Sequence, residues 1–324
     1  EAAAHADAVV VGEAETVWPG LLADAAAGRL APRYVAAGAP CWDDATPPPR
    51  YDLLELGRYN RLTLQTARGC PRDCSFCGAS RTISPYRLKP LALIERELDA
   101  IEARWPRPFI ELADDNTFAN KPWSRRLAGI FERRRLRWFT ETDISVADDP
   151  ELLESLARSD CAQLLIGLES AAPGSLRGLD SRDWKRRQFD GYVEKIARIQ
   201  SRGITVNGCF ILGLDSDGPE AFDETERFIR QLNLAEAQIT VLTPFPGTAL
   251  CARLKSEGRL APEPFWERCT LFDVVYRPKR MTAGELEDGF VGLMRRLYAP
   301  AATRRRRLAF RECRRRRRSD VRAR

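Results

Sequence analysis

Residues 62–77 read LTLQTARGCPRDCSFC, and the three cysteines in this stretch, Cys70, Cys74 and Cys77, decide how the rest of the chain is read. Three residues separate the first pair and two separate the second. The apolar run at 62–67 reads as a strand, so the cysteines sit in the loop leaving its end. Three thiolates this close can hold three irons of a cubane iron–sulfur cluster, which takes cysteine ligands. No fourth cysteine lies nearby, so one iron is left open to a substrate or cofactor.

Plainer readings compete. A structural zinc site takes four ligands, often as two CxxC pairs. Here His5, the one histidine, is remote, and Cys41, Cys161, Cys209, Cys251, Cys269 and Cys313 are scattered singly. A disulfide framework does not suit a long chain with nine cysteines and no secretory signal.

CPRDCSFC resembles the CxxxCxxC loop of the radical S-adenosylmethionine (SAM) superfamily, down to the aromatic Phe76 before the last cysteine. The resemblance implies that Cys70, Cys74 and Cys77 ligate a 4Fe-4S cluster and that Phe76 lies near the adenine of SAM. It also implies that the open iron chelates the methionine end of SAM, and that one electron from the cluster cleaves the sulfonium to a 5′-deoxyadenosyl radical.

The composition fits a soluble globule: 324 residues, 44% hydrophobic and 30% charged. No apolar run approaches the roughly 20 residues that span a bilayer. Unpaired cysteines and an oxygen-sensitive cluster place the protein in a reducing cytoplasm. The formal charge of +6 is concentrated at one end, where residues 304–324 hold twelve arginines against Glu312 and Asp320, leaving the remainder net acidic. This tail could touch nucleic acid or an acidic surface. Phe310 is the one aromatic in it, and single-strand binders need stacking rings. The tail is therefore read as a disordered or frayed helical end, and nucleic-acid binding is not expected.

At the other end, ADAVVVGEAETVW gives a strand over 8–11, a turn at Gly12 and a helix over 16–27. This is similar to the "strand–GExE–helix" segment closing the Rossmann-like domain of cobalamin-binding radical enzymes, with Val9–Val11, Gly12, Glu13 and Glu15 matching. Residues 1–30 are thus expected to be a remnant of that domain. The Asp-x-His-x-x-Gly axial motif is absent, since Ala-Asp-Ala follows His5. Residues 31–55 form a linker: Pro47, Pro48 and Pro49 forbid helix, and Tyr34, Trp42 and Tyr51 are expected to anchor it to the next domain.

Strand-like segments at 62–67, 109–113, 138–142, 163–168, 205–212 and 238–242 alternate with helical ones at 91–104, 123–135, 150–159, 183–202 and 219–232. That order implies parallel strands joined by crossovers. The α/β architecture expected over 56–245 is a partial TIM-like (β/α)6 radical SAM barrel, a flavodoxin-like open sheet being the alternative on pattern alone. Active sites of βα barrels gather at C-terminal strand ends, where a polar ring recurs: Asp114, Asp115 and Asn116; Thr140 to Asp143; Glu169 and Ser170; Asn207 and Gly208; Asp215; Thr243. Asp114 and Asp115 could equally cap the following segment. The resemblance assigns Asp114, Asp115 and Asn116 to the methionine amino group, Glu169 and Ser170 to the cofactor, and Val206 and Gly208 to the adenine. Arg186 and Arg187 are weaker candidates for the methionine carboxylate, and Cys209 reads as core.

Residues 246–303 form an α-rich extension with a helix opening at Thr282, where Glu285 completes a capping-box pattern. It is similar to the extension after the barrel in hopanoid C-methylases. Trp266, Phe272, Tyr276 and Tyr298 would suit a large apolar substrate, with core packing the plainer reading. The sequence points to a radical SAM enzyme, and by resemblance to a cobalamin-dependent C-methyltransferase. A cobalamin-independent radical enzyme and a metal-binding nucleic-acid module remain alternatives. The expected partners are a small, lipid-like substrate and a flavodoxin or ferredoxin.

Overall fold

The computed structural model describes residues 2–38, 42, 46–78, 84–262 and 265–322, so Cys41 and parts of the linker lie outside the described residues. The N-terminal unit is β1 (Val9–Val11), α1 (Trp18–Ala26) and β2 (Arg33–Val35), the two strands pairing in parallel. The expected linker therefore begins with a strand. Tyr34 anchors within this unit, not to the barrel: its hydroxyl donates to Asp24 at 3.0 Å and accepts from the Ala31 amide. Tyr51 does reach the barrel, buried with its hydroxyl on the Thr63 carbonyl. Trp42 lies against the Arg68 and Arg87 guanidiniums, 5.0 and 5.4 Å from the ring centre.

The predicted strand at 62–67 divides in two. β3 (Leu62–Leu64) joins the main sheet, while β4 (Ala67–Arg68) turns away to pair antiparallel with β5 (Arg87–Leu88) across the base of the cysteine loop. The main sheet continues through α2 (Leu91–Glu102), β6 (Phe109–Leu112), α3 (Lys121–Arg134), β7 (Arg137–Thr142), α4 (Pro150–Arg158) and β8 (Cys161–Glu169). It is completed by α5 (Trp184–Gln188), α6 (Tyr192–Ser201), β9 (Thr205–Leu212), α7 (Ala221–Gln231) and β10 (Glu236–Val241). All six main-sheet strands are parallel, and they stand in chain order, β3–β6–β7–β8–β9–β10. A doubly wound sheet reverses its strand order at a switch point; this one never does, which removes the flavodoxin-like alternative and leaves the six-stranded TIM-like arrangement.

Side-chain alternation then sorts two faces. Trp138 stacks on Phe131 of α3 with ring centres 4.6 Å apart, and Phe210 meets Phe228 of α7 edge-on, so these parities face the helices. Leu64, Ile110, Leu164, Ile166 and Val206 are wholly buried. Each such side chain contributes roughly 1.5–3 kcal/mol. The opposite parity, with Glu141, Leu165 and Gly167, lines the interior. Local sequence sets the helix starts: Asp149 caps α4 through the Leu152 amide, and Asn120 caps α3 through Trp123.

Past the barrel come α8 (Ala249–Ser256), α9 (Ala283–Leu297) and α10 (Pro300–Arg322). The capping box of Thr282 and Glu285 is present at the start of α9, whose Leu286, Phe290, Leu293 and Leu297 are buried. Leu271 covers the outer edge of β10, its carbonyl accepting from the Val241 amide at 2.7 Å. Of the four aromatics noted in the extension, Trp266, Phe272 and Tyr298 are exposed and Tyr276 is buried on the Gly213 carbonyl. None of them lines the interior cleft described below. The arginine tail is helical through Arg322, and buried Cys313 donates to the Gln200 carbonyl, docking α10 on the end of α6. Ala302 and Cys313 supply an apolar side that the run of arginines obscured.

Glu13 of the N-terminal unit reaches the base of the cysteine loop, taking hydrogen bonds from Arg68, Ser84 and Arg87. Burial alone would raise its pKa, but the bonds from Arg87, Ser84 and Arg68 outweigh it and hold the carboxyl at about 2. A depressed carboxyl stabilises the fold above its unfolded pKa near 4.5 and loses that contribution as pH falls towards 2. Wild type should therefore exceed Glu13→Gln in urea denaturation at pH 7, by on the order of 1–2 kcal/mol after solvent screening. The gap should close between about pH 4.5 and 2. A gap that ignores pH would contradict the assignment.

Candidate active site

The C-terminal ends of β6, β7 and β8 and the cysteine loop enclose one cleft of about 680 Å³, counted to its open mouth. Cys70, Cys74 and Cys77 all line it, with Phe76 beside them. The loop is held by three hydrogen bonds, two from the segment after β8 and one from the start of α8. Ser75 donates its amide to the Leu179 carbonyl at 2.7 Å, the Ser75 carbonyl accepts from Leu250 at 2.9 Å, and Asp73 accepts from the Ser181 amide. Cys70 Sγ accepts from the Arg72 amide at 3.4 Å and from Asn116 Nδ2 at 3.7 Å. Burial pushes the Cys74 thiol up to about 12 and raises Cys70 as well. A thiol held as high as Cys74 is protonated at neutral pH, so iron must displace its proton to bind.

Two polar networks face these sulfurs. In the first, Arg72 donates from Nε and Nη2 to Asp143 Oδ2 at 3.1 and 2.9 Å, and its guanidinium lies 3.7 Å from the Trp184 ring centre. Asn116 joins through Nδ2 to Asp143 at 2.9 Å, while its Oδ1 accepts from Thr142. Burial would raise the Asp143 carboxyl, but Arg72, Ser145 and Asn116 hold it below the usual range.

The second network is a buried ion pair. Lys185 Nζ lies 2.7 Å from Glu169 Oε1 and also donates to the Gly167 carbonyl. Glu169 has φ +65°, a left-handed conformation uncommon for a side-chain-bearing residue, at an irregularity where β8 slips against β9. That twist folds its carboxylate back over Gly167, where a Cβ would lie 2.3 Å from Oε1. Asp180 brings Lys185 round: its carboxylate accepts from the Trp184 and Lys185 amides and starts α5. Burial disfavours the Lys185 charge, but Glu169 outweighs it and keeps the ammonium protonated. Gly167→Ala should cost about 1–3 kcal/mol in denaturation, since the new methyl must displace a packed carboxylate. A variant as stable as wild type would show that Glu169 does not need this space.

Of the residues singled out from sequence, the cysteines, Phe76, Asp115, Asn116, Glu141, Thr142, Asp143 and Glu169 converge on the cleft. Asp114 does not. It is buried, accepting from the Thr66 and Ala67 amides and the Thr66 and Thr117 hydroxyls, and so ties the β6 end to the loop base. Ser170 turns inward to accept from the Ala172 amide. Val206 and Gly208 lie on the helix-facing side of β9, where a Cβ on Gly208 would meet Leu234 at 2.6 Å. Arg186 pairs with Asp190 and Arg187 with the Arg182 carbonyl. Neither lines the cleft, whereas Lys185 does. Arg72, Trp184 and Lys185 are the cleft residues that sequence reading undervalued. Arg72 and Lys185 carried a faint signal, a cation within the cysteine loop and one following a DSRD turn.

The Radical SAM superfamily model matches residues 64–229. The chain belongs to the radical SAM superfamily, whose cofactors are a 4Fe-4S cluster and SAM. The site fits such a cluster: three thiols share one cleft wall with no other cysteine lining it. Among the described residues, no three or more cysteine, histidine, aspartate or glutamate side chains are grouped to hold a single metal ion. A cubane spaces its thiolates more widely than one ion does. The chain is 27% identical over 310 residues to bacteriochlorophyllide d C-12(1)-methyltransferase of Chlorobaculum tepidum, covering 93% of this chain and 66% of the relative. It is 30% identical to hopanoid C-2 methylase of Rhodopseudomonas palustris over 66% of this chain and 41% of that one. In structure it resembles the radical SAM methyltransferase TsrM from Kitasatospora setae, solved with cobalamin and a 4Fe-4S cluster. The TM-score is 0.57 at 19% identity, covering 64% of this chain and 42% of that one. The cobalamin-dependent SAM radical enzyme OxsB gives 0.58 at 17% identity, covering 74% and 38%. This chain thus spans between 38% and 66% of the length of these proteins. No helix among the described residues is long and apolar enough to cross a membrane.

Proposed function

We propose that this chain is the catalytic barrel of a cobalamin-dependent radical SAM C-methyltransferase acting on a small, lipid-like substrate. The observation that carries this reading is the three-cysteine wall facing the Glu169–Lys185 pair across one cleft. The cluster held by Cys70, Cys74 and Cys77 would, when bound, supply the electron that breaks a carbon–sulfur bond of SAM. The protein's part is binding, orientation and exclusion of water. Glu169 offers a carboxylate to the ribose hydroxyls or ammonium of SAM, and Lys185 and Arg72 are the cleft cations able to meet its carboxylate. Phe76, Leu165 and Trp184 give the apolar walls that an adenine or a greasy substrate needs.

In this reading residues 1–30 close a cobalamin-binding domain, 31–55 link it to the barrel at 56–245, and 246–303 form the extension. The α1 helix buries none of its side chains, so the described unit encloses no corrin site by itself, and no step is assigned to cobalamin. The electron would come from a flavodoxin- or ferredoxin-type donor in a reducing cytoplasm.

Anaerobic reconstitution tests the proposal. About four irons with matching sulfide, and conversion of SAM to 5′-deoxyadenosine or S-adenosylhomocysteine under strong reductant, are expected. One zinc per chain, or a loaded cluster that leaves SAM intact, would overturn it.

A further inference from the structure

The cysteine loop leaves the sheet at Gly69 and returns at Ser84, and its two ends cross in close contact. Gly69 has φ +68°, and a Cβ there would lie 2.5 Å from the Ser84 carbonyl oxygen. Below this crossing a ladder of two residue pairs, Ala67 with Leu88 and Arg68 with Arg87, and one further bond from the Lys89 amide to the Thr66 carbonyl hold the ends together among the described residues. So short a ladder is weak by itself. It also sets two arginines directly opposite, and like charges so placed repel. At the Arg68–Arg87 pair the base of the loop is therefore weakened by repulsion unless an anion sits between the two guanidiniums.

Glu13 is that anion, and it arrives from outside the barrel. Arg87 Nη2 donates to its two oxygens at 2.7 and 2.5 Å, Ser84 Oγ donates at 2.5 Å, and Arg68 donates from Nη1. Glu15 takes the second Arg68 nitrogen at 2.5 Å. Arg87 Nε and Nη1 are buried without a partner among the described residues, so Glu13 accepts every hydrogen bond that this guanidinium makes there. One carboxylate thus joins both strands of the base and the returning end, one residue before the Gly69–Cys70 step. It lies beyond the 64–229 segment that the family model matches.

We infer that Glu13 is a positioning residue for the cluster: docking of the N-terminal unit closes the loop that presents Cys70, and so sets how firmly the cluster is held. This rests on the cluster reading above, and the experiment separates the two. Wild type, Glu13→Gln, Glu13→Ala, Arg87→Met and the Glu13→Ala/Arg87→Met double variant are reconstituted anaerobically. Iron loss to a chelator and the EPR line shape of the reduced cluster are followed, with the melting temperature of each apoprotein as a control. Outer-shell partners typically change metal retention 10–100-fold, so Glu13→Ala should release iron at least about tenfold faster and with an altered line shape. The double variant, relieved of the buried unpaired cation, should return to within about threefold of wild type. Arg87→Met and Glu13→Gln keep the test open should Glu13→Ala fold poorly. Wild-type iron retention in Glu13→Ala, or lability that tracks melting temperature alone without rescue in the double variant, would overturn the coupling while sparing the function. Wild type that takes up no cluster would overturn both.

Discussion

Replacing Cys74 with alanine is expected to lower bound iron from about four per chain to less than one and to reduce SAM cleavage by about a thousandfold or more. The argument is one of ligand number. With three cysteines on the cleft wall and no fourth beside them, removing one leaves two thiolates for three irons; of the cleft carboxylates, Glu169 and Asp143 are already committed to Lys185 and Arg72, and the hard oxygens of Asp115 and Glu141 suit cluster iron less than a thiolate does. Cys70→Ala and Cys77→Ala should behave alike, because the cluster is a single unit. Cys209→Ala is the matched control: it lies on β9 with its thiol toward Gln238 and does not line the cleft, so iron content should stay at the wild-type level. The fold should survive every substitution, since none of the three cleft cysteines is fully buried. Iron and sulfide assays beside far-UV circular dichroism check this. A Cys74→Ala protein that retains four irons and cleaves SAM would remove the basis of the site.

Much of this was legible in the sequence because the informative signals are local. Strand-helix alternation, the CPRDCSFC spacing and the capping box of Thr282 with Glu285 all act within a few residues. The losses are tertiary. Both faces of β9 carry apolar residues, so alternation does not tell that Val206 and Gly208 meet the helix side while Asn207 and Cys209 take the other parity. Lys185 was passed over for its neighbours Arg186 and Arg187 because a run of three cations gives no hint of which one a short helix turns inward; the Asp180 hydrogen bonds make that choice. Asp114 lies beside Asp115 yet serves the backbone of a strand 48 residues earlier. Glu13 finds its partners 55 to 74 residues away, and nothing near it in the chain announces them.

Substituting Lys185 by methionine should be the costliest single change in the cleft wall. The ammonium is the ion partner of Glu169, and both side chains are under 10% exposed. Breaking a buried pair from one side strands the other charge, typically at about 3–5 kcal/mol. Here the stranded carboxylate also sits on a residue in a left-handed backbone conformation, folded back over Gly167. Replacing both partners, Lys185→Met with Glu169→Gln, removes the unpaired charge and should bring stability back to within about 1 kcal/mol of wild type. Binding should not follow stability. If Glu169 and Lys185 contact the ammonium, ribose or carboxylate of SAM, each single variant and the double variant should all bind SAM at least about tenfold more weakly, a loss of roughly 1.4 kcal/mol. Urea denaturation of the apoproteins and SAM titration of the reconstituted ones, followed by EPR, measure the two quantities separately. Recovery of stability without recovery of binding assigns the pair to the cofactor. Recovery of both would make it a structural strut, and wild-type SAM affinity in Lys185→Met would take the lysine out of the site altogether.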